Sequence, residues 1–294
     1  MVKEIQIKSV LNKTKKRDPW FLDDYTLNLY SSCAFNCLYC YIRGSKYGEN
    51  LAHSLSVKVN ALEILEKQLA LRAKKGQYGF IVLSSATDPY LHIEKEYRLT
   101  RQALEIIRNY RFPVHIITKS DLVLRDFDLL QEIDQTAIVP NDVPLHSGTI
   151  LSFSFSTLDD EQAKLFESGA PLPSKRLKAL ESAIENKLRA GVSLMPLLPF
   201  ISDTTAALTH FFRSFSTLQA RYVLPATLTL FGSDKADSKT LVLEIIKRHY
   251  PELLSKYEKW FAHSSQMPSF YRKAFAEKMK ELSEEYNLPN RIYD

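Results

Sequence analysis

The stretch "YSSCAFNCLYCYIRG" (30–44) contains Cys33, Cys37 and Cys40, the only cysteines in 294 residues. An odd number of thiols within eight positions does not read as a disulfide framework. It reads as reduced thiols that a loop can bring to one small object. The run leading into it, "YTLNLYS" (25–31), alternates apolar and polar residues with period two, the signature of a strand. A ligand-bearing loop directly after a strand is where α/β barrels place their chemistry.

Working outward, "VNALEILEKQLALRA" (59–73) carries apolar residues at helical spacing and "GFIVLSS" (79–85) is β-rich. Helix patterns follow at 98–110, 122–133 and 204–215, and strand patterns at 113–118, 149–156, 192–200 and 222–231. The segment "PSKRLKALESAIENKLRAG" predicts a helix that starts at Pro173 and stops at Gly191. From about residue 236 only helix patterns remain, including "KTLVLEIIKRHY" and "SFYRKAFAEKMKELSEEY". Roughly six strand–helix units predict an α/β fold, a partial (β/α)6 TIM-like barrel with a C-terminal helical extension. The divisions expected are a basic N-terminal arm (1–24), a barrel domain (25–235) and the helical extension (236–294).

Composition narrows the class. With 45% hydrophobic and 25% charged residues, the chain has the make-up of a globular enzyme with a large core. No run of eighteen apolar residues suggests a membrane span, and "MVKEIQIKSV" lacks a basic-then-apolar leader, so the expected location is the cytoplasm. The net charge of +5 comes partly from "KTKKR" (13–17), either a solvated arm or a segment contacting the phosphates of a nucleic acid.

The C-x3-C-x2-C spacing admits two metal readings. Zinc held by three thiolates and His53 forms a common tetrahedral set. A 4Fe-4S cluster held by the three cysteines leaves one iron open to another ligand. "CAFNCLYC", with Tyr39 at the aromatic position, resembles the radical S-adenosylmethionine (SAM) superfamily. Further blocks, "SSATDPYLHIEKEYRLTR" (84–101), "ITKS" (117–120), "SFSFST" (152–157) and "LTLFGSD" (228–234), resemble its spore photoproduct lyase-like group, often labelled DNA repair photolyases. The likeness runs from about residue 20 to 240.

That resemblance implies a 4Fe-4S cluster on Cys33, Cys37 and Cys40, with SAM bound at the open iron and a reductant such as flavodoxin or ferredoxin. It places Ser85, Thr87 and Asp88 near the SAM amino group, where Thr87-Asp88-Pro89 is equally a turn and helix start. Lys119 suits the SAM carboxylate, or is a solvated strand-end lysine. Ser154 and Ser156 alternate with Phe153 and Phe155 and so share one strand face. Facing inward they suit the ribose or carboxylate; otherwise they belong to a packing layer. Tyr41 is a contact for adenine or a core aromatic, and "MPLLP" (195–199) reads as core.

Two function classes result. One is a radical SAM enzyme acting on a substrate that includes DNA lesions among its candidates; the other is a noncatalytic zinc-bearing nucleic-acid-binding protein. For the second, neither another ligand cluster nor an aromatic–basic motif is evident along the chain. Spore photoproduct lyase itself uses one more cysteine to return a hydrogen atom to its product. All three cysteines here are assigned to the cluster, leaving tyrosines such as Tyr41 and Tyr90 as alternative donors.

Overall fold

The computed structural model describes residues 2–45, 55–83 and 86–293, so His53 and Ser85 lie outside the described residues. The described strands are β1 (Lys3–Ile5), β2 (Leu11–Lys13), β3 (Tyr25–Leu27), β4 (Tyr30–Ser31), β5 (Ser56–Lys58), β6 (Ile81–Leu83), β7 (Val114–Thr118), β8 (Thr149–Phe155), β9 (Arg189–Leu197) and β10 (Val223–Thr227). The helices are α1 (Ala61–Lys74), α2 (Glu94–Tyr97), α3 (Leu99–Asn109), α4 (Phe127–Thr136), α5 (Asp160–Phe166), α6 (Pro173–Glu185), α7 (Thr205–Thr217), α8 (Ser238–His249), α9 (Leu254–Phe261) and α10 (Ser269–Glu285).

Seven strands form one sheet in the order β10-β9-β8-β7-β6-β3-β2. The six from β3 to β10 run parallel, and β2 pairs antiparallel with β3 at the edge. This is the partial (β/α)6 barrel. Its strands are apolar on both faces, as helix-covered parallel sheets require: all of Ile81–Leu83 is buried, and Phe155 on β8 packs against Phe215 of α7. The β10 edge is closed by α10 and by the Val223 amide, which donates to the Pro289 carbonyl (3.0 Å).

Four sequence expectations change. The run 25–31 is not one strand. Tyr25–Leu27 stays in the barrel sheet, while Tyr30–Ser31 turns away to pair with β5 in a small sheet ordered β1-β5-β4. Helix α6 ends at Glu185 rather than Gly191. Lys187 takes the left-handed conformation (φ 61°), and Gly191 lies inside β9, where a Cβ would meet the Tyr222 ring at 2.7 Å. Residues 121–126 form a 3-10 turn capped by Ser120 before α4 begins. The basic run 13–17 is structured rather than loose. Lys13 pairs with Tyr25, and Arg17 is held by Asp24 (2.8 Å) and Asp142 (2.7 Å). Burial of Val10 and Leu11, with Gln68 Oε1 accepting from both amides, draws this segment onto the sheet.

The helical tail packs as a second apolar cluster. Leu198, Leu228, Leu230, Val242, Ile246, Tyr257 and Phe261 join Tyr39 there, with Cys37 and Leu38 against its edge. The tail is thus tied to the cysteine loop.

Candidate active site

The cysteine loop leaves β4 at the carboxyl end of the barrel strands. Left-handed Ser32 (φ 68°) and Asn36 (φ 51°) wind it into a tight curl, and the Cys40 amide donates to the Cys37 carbonyl (3.3 Å). Arg43 Nε donates to that same carbonyl (3.1 Å) and Arg43 Nη2 to Asn36 Oδ1. From the other side, the Leu38 amide donates to the Phe166 carbonyl (2.9 Å) and the Gly169 amide to the Phe35 carbonyl (3.1 Å). The segment after α5 is therefore a brace for the loop.

All three thiols are free and partly buried. Burial, followed by the Asp88 charge, pushes Cys33 up to about 11. Burial likewise raises Cys37 and Cys40, and the thiols add to one another's shifts through space, Cys33 and Cys40 both acting on Cys37. Three buried, basic thiols on one short curl form a soft donor set that a metal loads by releasing their protons. As the structure stands, no group of three or more His, Cys, Asp or Glu among the described residues is arranged to hold a metal ion.

Beneath the loop is a buried polar network. Glu167, at the end of α5, is fully buried; its Oε1 accepts from Ser156 Oγ (2.6 Å), Lys119 Nζ (3.1 Å) and the Tyr39 hydroxyl. Its Oε2 accepts from Arg176 Nη2, and Arg176 is itself fully buried. Lys119 Nζ also reaches the Tyr39 hydroxyl (3.2 Å) and stands over its ring at 5.7 Å. Burial alone would raise the Glu167 carboxyl. The Lys119 and Arg176 charges, with the Ser156 and Tyr39 hydroxyls, outweigh it and hold the group well below the usual carboxylate range.

A second hub is Asp88. Its Oδ1 accepts from the Tyr90 amide (2.9 Å) and Thr118 Oγ1 (2.8 Å), and its Oδ2 from the Lys119 amide (2.7 Å). Beside it, Thr87 Oγ1 donates to the Ser32 carbonyl (2.6 Å), linking the loop after β6 to the cysteine curl. Burial raises the Asp88 carboxyl despite these donors.

Of the residues singled out in sequence, Tyr39, Lys119 and Ser156 meet at Glu167, and Thr87 and Asp88 join the curl to the end of β7. Ser154 is half-buried on the β8 face opposite Phe155, its carbonyl accepting from Arg176 Nη1 (3.0 Å). Tyr41 is 46% exposed and Tyr90 is 1% exposed, so the two tyrosines have opposite settings. A cavity of about 200 Å³ opens between the Cys-loop residue Phe35, Tyr90, His92, Ser120 and Gly169. Glu167 and Arg176 escaped sequence reasoning, since no motif separates them from other helix-end charges.

The Radical SAM superfamily model matches residues 27–212, and the chain belongs to that superfamily. Its characteristic cofactors are a 4Fe-4S cluster and SAM. An uncharacterized protein of Mycobacterium tuberculosis is 28% identical over 291 residues, spanning 97% of this chain and 81% of the relative. One of Methanocaldococcus jannaschii is 29% identical over 204 residues, 68% of this chain and 69% of the relative. A spore photoproduct lyase variant with bound AdoMet and dinucleoside spore photoproduct shares the fold, with a TM-score of 0.64 at 16% identity over 97% of this chain and 79% of that one. Among the described residues no helix is long and apolar enough to cross a membrane.

Gly169 offers a direct check on the brace. A Cβ there would stand 2.3 Å from the Ala34 carbonyl oxygen and 3.0 Å from Phe35. Gly169→Ala must push the cysteine curl outward, at a cost of about 1–3 kcal/mol. Iron bound per chain after anaerobic reconstitution is expected to fall, as is the denaturation midpoint. Unchanged iron and stability would show that the brace yields freely.

Proposed function

We propose that Cys33, Cys37 and Cys40 hold a 4Fe-4S cluster with one iron left to SAM, and that the chain is a radical SAM enzyme acting on nucleic acid, with a DNA lesion as the substrate. The observation that carries this is the cysteine curl set at the strand ends directly above the Lys119–Glu167–Arg176 network. When bound, the cluster and SAM supply an electron and a 5′-deoxyadenosyl radical that takes a hydrogen atom from the substrate.

The chain's own part is to bind, orient and exclude water. In this reading Lys119, ion-paired with Glu167 (3.1 Å), serves the SAM carboxylate, and Ser154 with the loop at Thr87 serves its other polar groups. Ser156 and Tyr39 hold Lys119 in place, while Asp88 holds the loop after β6. Tyr41, on the exposed side of the curl, is the proposed contact for adenine, and Ser85, two positions before Thr87 in sequence, is a proposed contact for the SAM amino group. A small acidic electron carrier such as flavodoxin or ferredoxin is the proposed reductant, and a reducing compartment such as the cytoplasm keeps the thiols available.

The test is reductive SAM cleavage by the reconstituted protein under nitrogen, read as 5′-deoxyadenosine. Lys119→Met is expected to retain iron and weaken SAM binding at least about tenfold, the worth of a charge-assisted contact. Wild type with a full iron complement and no affinity for SAM would overturn the reading. Offered the dinucleoside spore photoproduct, the protein is expected to cleave SAM without multiple-turnover repair, because its three cysteines are all in the cluster set.

A further inference from the structure

At the carboxyl end of β9 the chain turns through Phe200, which is held in the left-handed conformation (φ 64°) with its ring 41% exposed. A bulky residue in that conformation is uncommon, and such strain persists only where surrounding contacts impose it. Here Asp203 imposes it. One carboxylate oxygen accepts from the Phe200 amide and the other from the Tyr271 hydroxyl of α10. The Asp203 carboxylate thereby joins the barrel rim to the helical tail.

Phe200 begins a continuous row of rings. Its centroid is 5.2 Å from Trp260, which is 6.3 Å from Phe270 and 5.5 Å from Tyr271, and Tyr271 stacks on Phe275 at 6.4 Å. Phe270 is 64% exposed. Lys256 Nζ stands 4.4 Å over the Phe200 ring. Over α9 and the first turn of α10 the exposed charges are Lys256, Lys259, Arg272 and Lys273 against Glu258 alone. The row and the cysteine curl share one apolar cluster. The Tyr257 hydroxyl donates to the Pro199 carbonyl (2.8 Å), and Trp260 and Tyr271 pack on the same apolar cluster as Cys37, Leu38 and Tyr39.

We infer that this row is a stacking platform for an unpaired nucleic acid strand, carrying the substrate backbone across the rim toward the cysteine curl. Two exposed aromatics, Phe200 and Phe270, beside a line of cations match what single strands require: a base stacks on a ring and phosphates meet the lysines. A protein partner would need apolar area without a preference for π-faces. The inference rests on the nucleic-acid reading above, and its test is separable from the cofactor chemistry.

The measurement is fluorescence anisotropy of a labelled oligothymidylate of about 12 nucleotides with the full-length reconstituted protein. Wild type is expected to bind it, and Phe270→Leu to weaken binding at least about fivefold, whereas Phe270→Tyr keeps it within about twofold. Lys256→Gln with Lys259→Gln is expected to flatten the salt dependence by roughly 0.7 log units per cation removed. Failure of wild type to bind the strand overturns the platform. Equal binding by the Leu and Tyr variants also overturns it, marking a plain apolar docking face for a protein. Iron content and substrate-free SAM cleavage of the same wild-type preparation report on the cofactor reading. A protein that cleaves SAM but ignores the strand sinks the platform alone; one that does neither sinks both.

Discussion

Replacing Cys33, Cys37 or Cys40 by alanine is expected to strip most of the iron from anaerobically reconstituted protein and to abolish its visible absorption. Each thiol is one third of the protein's donor set, and no other cysteine exists to substitute. Burial raises all three thiols, so a site short of one thiolate loses both a bond and the charge that helps draw in the metal. The fold itself should survive, since the thiols sit at the edge of the apolar clusters and the curl is braced by backbone bonds to Phe166 and Gly169. SAM cleavage disappears with the iron. Any single variant that retained near-normal iron and colour would defeat the three-ligand assignment.

Glu167→Gln is expected to be the most damaging change outside the curl. It leaves Arg176, fully buried, without a counter-charge, and breaking a buried pair in this way costs about 3–5 kcal/mol. Denaturant titration should show a stability loss of that size, and SAM cleavage should fall because the network loses the negative charge that Lys119 and Arg176 share. Converting the pair together, Glu167→Leu with Arg176→Met, should cost less than the single change. The network also predicts a pH dependence. The folded carboxyl lies below its ordinary value of 4.5, so its stabilisation is complete above that pH and is lost as pH falls through the folded pKa. Glu167→Gln removes this acid-side loss. A variant as stable as wild type would mean that Arg176 finds another acceptor.

The asymmetry between the two tyrosines bears on hydrogen return. Tyr41 faces outward at the curl, whereas burial and then the nearby Asp126 charge hold Tyr90 well above an ordinary phenol. Of the two, Tyr90 is the one that lines the cavity beside Phe35, with the Asp126 carboxylate near its buried ring.

Much of this protein is written in local pattern. Period-two alternation marks 149–156 and apolar spacing marks 59–73, because a strand face and a helix face each follow from the geometry of a few residues. The cysteine curl is legible for the same reason: eight positions suffice to converge three thiols. Failures came where distant residues decided the outcome. Gly191 reads as a helix stop, yet it is a strand residue made small by the Tyr222 ring. The run 25–31 reads as one strand, yet Val57 and Ser56 draw Tyr30 and Ser31 into a second sheet.

The sequence by itself determined the alternation of about six barrel strands with helices, the helical tail, and a three-thiol loop that follows the first barrel strand. Only the tertiary structure decided which charges meet. Glu167, Lys119 and Arg176 come from three different segments, and two cations converging on one buried carboxylate outweigh the cost of its desolvation. The aromatic row is of the same kind: Phe200 and Phe270 are seventy positions apart and become one surface when the tail packs on the rim. No local spacing encodes such a meeting, because it depends on burial, and burial belongs to the whole chain.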